Sequence, residues 1–185
     1  LSNSTYFVGH LFSDIDEMTK GVQSFGDLIR PQFRDTFTLT QFPHVTLVYI
    51  GGNKEHKEAY VNDGMFVNCM NAFKNLKYQF KKLDFYGKSL VYVFELVDIV
   101  RNSDLTSVMN QHNPGEFESH GDKRLHITLG KFSHNKAKNA FCKNWLNRIT
   151  KLIKTNKLAK ISNFSFDQFH AISVDSEKKY TSEVI

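Results

Sequence analysis

Two short segments share one pattern: His44-Val45-Thr46-Leu47 and His126-Ile127-Thr128-Leu129, each a histidine, a β-branched residue, a threonine and a leucine. On a strand, side chains alternate between faces. Each motif would therefore show an imidazole beside a hydroxyl and turn its two apolar residues into a core. With 8 histidines and 11 threonines in 185 residues, about 0.5 His-x-Thr is expected by chance. Two copies, both flanked by apolar residues, carry information.

Imidazole titrates near pH 6.5, so at neutral pH one copy can take a proton while the other gives one. The threonine hydroxyls can donate to the non-bridging oxygens of a phosphate held between the rings and stabilise the charge that builds up in the transition state. This is acid/base chemistry at a phosphodiester, and it needs no metal. Neither HExxH nor a CxxC pair is present, and Cys69 and Cys142 have no partner at ligand spacing, so neither a zinc site nor another cofactor is expected.

The elements that must position these residues can be read from periodicity. Strands are predicted over 5–12, over 44–50 after Pro43 demotes the preceding residues to an edge or loop, and over 124–132. Residues 78–86 and 90–97 read as a hairpin turning at Gly87-Lys88, and 159–166 and 169–174 as two closing strands. Helical spacing follows Ser13 as far as Pro31. It follows Asn53 as far as Leu76, with Gly64 a weak point, then Ser103 or Asp104, and Asn135, after which Phe141, Trp145, Leu146, Ile149, Leu152 and Ile153 share a face. A polar loop fills 116–123. Each half thus runs helix, His-x-Thr strand, helix, strand, strand. A doubled unit implies one α+β domain over 1–185, with pseudo-repeat halves near 1–99 and 100–185. The two lobes would each be a largely antiparallel sheet, with helices outside and a central cleft between.

Composition sets the outer bounds. The 41% hydrophobic and 23% charged residues suit one globular domain of this length, large enough to bury a core without disulfides. Two cysteines, each in a helical stretch, read as small core residues of a reducing compartment. No apolar run approaches the roughly 18 residues of a membrane span. The net charge of +5 and a pI near 9.1 lean toward polyanionic partners. Lys136, Lys143 and Lys154 read as a solvated face, with an RNA track as the alternative. The chain opens on Leu1, which reads as a domain cut from a longer polypeptide.

With its two His-x-Thr motifs 82 residues apart in a doubled unit, the chain resembles the 2H phosphoesterases, named for two His-x-Thr/Ser motifs about eighty residues apart. The resemblance implies the bilobal 2H fold and metal-independent action on 2′,5′ linkages, 2′,3′-cyclic phosphates or related RNA ends. His44 and His126 would be the acid/base pair, and Thr46 and Thr128 the phosphate-binding hydroxyls. The chain is most similar in feel to the viral branch: the C-terminal domain of the rotavirus capping enzyme and the accessory phosphodiesterases of coronaviruses and toroviruses. That branch implies cleavage of 2′,5′-oligoadenylate, the activator of RNase L, in the host cytoplasm by part of a larger viral polypeptide. The alternatives are a cyclic phosphodiesterase or RNA-end-processing enzyme, and a non-catalytic RNA-binding module. Around the motifs, His120, Lys123 and Arg124 would meet phosphates at the cleft mouth, and Tyr6 and Tyr92 would stack on adenine. The remaining histidines, His10 and His170 among them, are expected in ordinary core or surface roles.

Overall fold

β-Branched and aromatic runs favour a pleated, half-buried surface, and strand is more abundant than helix among the described residues for that reason. The computed structural model describes residues 4–11, 37–40, 43–71, 73–74, 76–97, 118–119, 124–136, 139–156, 163–164, 166 and 168–185. Among these, ten strands and three helices form. In chain order they are β1 (Thr5–Leu11), β2 (Phe37–Leu39), β3 (His44–Gly51), α1 (Lys54–Val61), α2 (Gly64–Asn71), β4 (Tyr78–Tyr86), β5 (Ser89–Leu96), β6 (Glu118–Ser119), β7 (Arg124–Phe132), α3 (Ala140–Asn156), β8 (Asn163–Phe164), β9 (His170–Val174) and β10 (Tyr180–Val184). The helices expected over 13–31 and 103–109 lie outside the described residues.

The strands run antiparallel in the order β10-β9-β1-β3-β7-β5-β4-β8, with β2 also on β7 and β6 also on β3. Two half-sheets meet within this order at one residue pair, Val45 with Ile127. The architecture is the expected antiparallel α+β one, and each half-sheet carries one His-x-Thr strand. The strands are exchanged, however: β1, beside β3, pairs with β9 from the far end of the chain, which pairs in turn with β10, while β5, beside β4, pairs with β7.

Hydrophobic side chains pack on one face of this sheet. Tyr78, Phe80, Leu83 and Phe85 of β4, Leu90, Tyr92 and Phe94 of β5, and Leu125, Ile127 and Leu129 of β7 are all buried in one cluster with Cys142, Leu146 and Ile153 of α3. Beyond its first two residues β4 has no outer strand partner among the described residues, and α3 supplies one bond there: Thr150 Oγ1 accepts from the Leu83 amide at 3.1 Å inside the core. The Asn139 side chain caps α3 by accepting from the Cys142 amide, so the cap lies four residues after Asn135 and the helix starts at Ala140. Phe141, expected on its apolar face, is 64% exposed.

The single helix expected after Asn53 is two. Asn53 caps α1 through bonds from the Glu55 and His56 amides, Asn62 ends it, and the Asp63 carboxylate accepts from the Met65 amide to start α2 at Gly64. The hairpin turns where expected, with Gly87 at φ +62. Cys69 and Cys142 are buried free thiols on helices, and burial raises the Cys142 pKa. No helix among the described residues is long and apolar enough to cross a membrane.

Candidate active site

The pairing of Val45 with Ile127 decides how the two motifs meet. Both side chains are buried in the core, at 0% and 1% exposure, so their neighbours His44, Thr46, His126 and Thr128 turn to the opposite face. Because the strands are antiparallel, Thr46 stands opposite His126 and His44 opposite Thr128. The two histidines occupy diagonal positions, and backbones at such positions are about 7–8 Å apart, within reach of imidazoles that converge on one group. All four side chains are partly open to solvent.

Aromatic rings flank both histidines. The His44 ring lies 4.8 Å from that of Phe7 and 5.8 Å from that of Tyr180 on β10. The His126 ring meets Tyr86 edge-on at 5.1 Å. Burial raises the pKa of both tyrosines; at Tyr86 the Asp84 charge adds to it and Arg124 works against it. Both hydroxyls are therefore neutral donors at ordinary pH. Neither tyrosine was singled out by sequence. Tyr86 carries one legible signal, an aromatic at the mouth of a Gly-Lys turn.

Thr46 is also paired with Gly9 of β1, and β3 bulges there, so Leu47 and Val48 both enter the core. A Cβ on Gly9 would sit 1.9 Å from the Val45 carbonyl oxygen, so glycine alone admits the β3 backbone at this point. The row continues through Gly9 to His170 of β9. The His170 Nδ1 is buried with no hydrogen-bond partner among the described residues, its ring stands 5.7 Å from that of His10, and burial lowers its pKa. Sequence reading gave both histidines ordinary roles; the fold puts His170 beside the motif row.

Of the other expected contacts, Arg124 is exposed on β7 two residues before His126, on the same face, opposite Glu95. His120 and Lys123 lie outside the described residues. Tyr92 does not reach the site. It pairs with Ile127, is 4% exposed and packs its ring 4.2 Å from Phe80 and 5.2 Å from Phe94, and burial raises its pKa strongly. Tyr6 shares the β1 face of Val8 and is half-buried against the core, with Gly51 and Ser173 as strand neighbours. No described ring contact brings either beside His44 or His126. Among the described residues no group of three or more His, Cys, Asp or Glu side chains is placed to hold a metal ion.

No family model matches the chain, and no curated protein matches its sequence. Among solved structures, Kluyveromyces marxianus Usb1 aligns over 98% of this chain and 97% of its own, with a TM-score of 0.53 at 12% identity. The fold is similar to that of Usb1. A structure of Usb1 with uridine monophosphate aligns over 99% of both chains, with a TM-score of 0.50 at 14% identity. At this identity the likeness to Usb1 is one of fold, and the chemistry has to be argued from the residues of this chain.

Proposed function

We propose that the protein is a 2H-type phosphodiesterase acting on an RNA-like substrate, with His44 and His126 as its acid/base pair and Thr46 and Thr128 as phosphate-binding hydroxyls. The observation that carries this reading is the Val45–Ile127 pairing, which turns both His-x-Thr motifs onto one face of the sheet in antiparallel array. Each hydroxyl then stands beside the histidine of the other motif, so one phosphate touches all four groups. The Usb1-like fold supports the reading, and Usb1 has been solved with a nucleotide.

For a 2′,5′ linkage, the neighbouring ribose 3′-hydroxyl attacks phosphorus as one neutral imidazole takes its proton. The bond from phosphorus to the departing 5′-oxygen breaks, and the second, protonated imidazole donates to that oxygen. The products are a 2′,3′-cyclic phosphate and a free 5′-hydroxyl, and the two imidazoles exchange protonation states over the cycle. The threonine hydroxyls donate to the non-bridging oxygens and stabilise the charge that grows on them. Each histidine contributes about 10²- to 10⁴-fold as a general acid or base.

The specific substrate in this proposal is 2′,5′-oligoadenylate, whose destruction in a host cytoplasm would blunt RNase L activation, as in the viral enzymes the motifs resemble. The second reading, processing of RNA ends, draws on the likeness to Usb1. Incubation with 2′,5′-linked and 3′,5′-linked triadenylate in EDTA, with His126→Ala as control, separates them. Cleavage of the 2′,5′ compound alone, lost in the variant, is the expected result. Turnover that survives in His126→Ala would remove the two-histidine mechanism.

A further inference from the structure

The solvent face of α3 carries charge of one sign. Its 17 residues include no acid, and Lys143, Arg148, Lys151 and Lys154 are all exposed, with the amides of Asn144 and Asn147 between them. None of Lys143, Arg148 and Lys151 pairs with a carboxylate among the described residues. At 1.5 Å per residue these cations span about 16 Å of helix. Phe141 stands in line with Arg148, two turns earlier, and is 64% exposed, an aromatic face with no core to join.

This face is connected to the site. Arg124, two residues before His126 and on its face, stands opposite Glu95. The Glu95 carboxylate accepts two bonds from Lys81 Nζ, at 3.0 and 3.1 Å, and is held below its ordinary pKa first by that bonding and then by the charges of Arg124 and Lys154. Lys154, its ammonium 5.9 Å above the Phe80 ring, is the last cation of α3. Arg124 opposite Glu95 and Lys81 bonded to it thus carry positive charge from the His126 strand to β4, where Lys154 of α3 lies over the ring of Phe80, the residue before Lys81.

We infer that this path, from Arg124 past Lys81 and Lys154 along α3 to Arg148 and Phe141, is a binding track for the backbone of single-stranded RNA. It rests on the reading of the site as one for RNA-like phosphodiesters, and it extends the substrate from a few nucleotides to a chain that leaves the cleft and turns round the lobe. The elements match those of single-strand binders, a basic groove for phosphates plus an exposed ring on which a base of any sequence stacks. A flat membrane fits less well, because the cations turn from the site face onto the back of the sheet where α3 packs.

The test measures binding of a fluorescent single-stranded RNA of about 20 nucleotides by anisotropy, in the uncleaving His126→Ala chain, from about 50 to 200 mM salt. Single-strand binding falls with salt at a log–log slope near −0.7 per phosphate contact. Replacing Arg148 and Lys151 with Gln, which keeps helix propensity, should make the slope shallower by about 1.4 and weaken binding about 60-fold at 50 mM salt. Phe141→Ala should weaken it with the slope unchanged. Unaltered affinity and slope in the double variant, with the wild-type melting temperature, would overturn the proposal. So would loss confined to phosphatidylserine vesicles tested in parallel. Turnover of a 2′,5′-linked dinucleotide by the wild-type chain reports the 2′,5′-phosphodiesterase reading separately: track-dependent binding without turnover would sink the 2′,5′ reading and leave the track.

Discussion

The tightest geometric constraint near the site is the passage of β3 over Gly9, and a methyl group placed there should injure the chemistry without destroying the fold. In Gly9→Ala the new Cβ would meet the Val45 carbonyl oxygen at 1.9 Å, with the Val45 carbonyl carbon at 2.9 Å and Thr46 Cα at 3.1 Å. Ordinary carbon–oxygen contact is about 3.3 Å, so the β3 backbone must retreat by about 1.4 Å. His44 and Thr46 flank Val45 and move with it, while His126 and Thr128 on β7 do not. A displacement of about 1 Å between reacting groups lowers rates by about 10²-fold. The expected outcome is a roughly hundredfold fall in kcat on 2′,5′-triadenylate, with about 1–3 kcal/mol of lost stability from overpacking. Single-turnover kinetics well below the melting temperature, with circular dichroism on the same samples, separates the two effects. Gly64→Ala is the control: a Cβ there meets nothing within 4 Å, so the rate should be unchanged and stability should rise by up to about 1 kcal/mol. A Gly9→Ala protein with wild-type kcat would refute the coupling of β1 to the motif.

Thr150→Val removes the acceptor for the buried Leu83 amide and should cost about 1–3 kcal/mol in urea unfolding, more than a change of shape alone would explain. Tyr92→Ala empties a core position and should cost about 3–5 kcal/mol, whereas Tyr86→Ala, at an exposed ring beside His126, should leave stability nearly intact and weaken substrate binding by about 1–3 kcal/mol, read as a rise in KM. His170 is held neutral by burial, so the unfolded chain binds its proton at higher pH than the folded one. Stability from this group is full above about pH 6.5 and falls as pH drops through the lowered folded value, so the urea midpoint of the wild type should decline in that window more than that of His170→Gln.

The two motifs were legible because a strand's period of two makes His-x-Thr with apolar neighbours a statement about faces, and β3 and β7 keep that alternation through His44–Thr46 and His126–Thr128. The directions of Tyr6 and Tyr92 were not, because the middles of β1 and β5 are buried on both faces. In β5, Leu90, Val91, Tyr92, Val93 and Phe94 are all buried, so nothing in the run says which way Tyr92 points until its pairing with Ile127 is known. β10 went unread because Tyr180 to Val184 has no apolar alternation: it is an exposed edge strand held by its ladder to β9, and with it went Tyr180. The break between α1 and α2 turns on Asp63 capping a new helix in the middle of an otherwise continuous period, which only the weak point at Gly64 announced. The order of elements pointed to a doubled unit, but repetition does not specify pairing, and the pairing of β1 with β9 depends on contacts more than 150 residues apart.

That pairing has a consequence for how the protein is made. β1 leaves the ribosome before any other strand described here, yet one of its two strand neighbours, β9, follows after more than 150 further residues, and β10 closes that edge later still. Neither half-sheet can reach its final set of partners until β7 and β9 have been made. Long-range antiparallel pairing of this kind is slow, because the loop must close before any contact rewards it. The nascent chain must therefore carry an unsatisfied apolar edge at β1 until β9 has been made, a period in which a chaperone or a neighbouring chain competes for the place that β9 will fill.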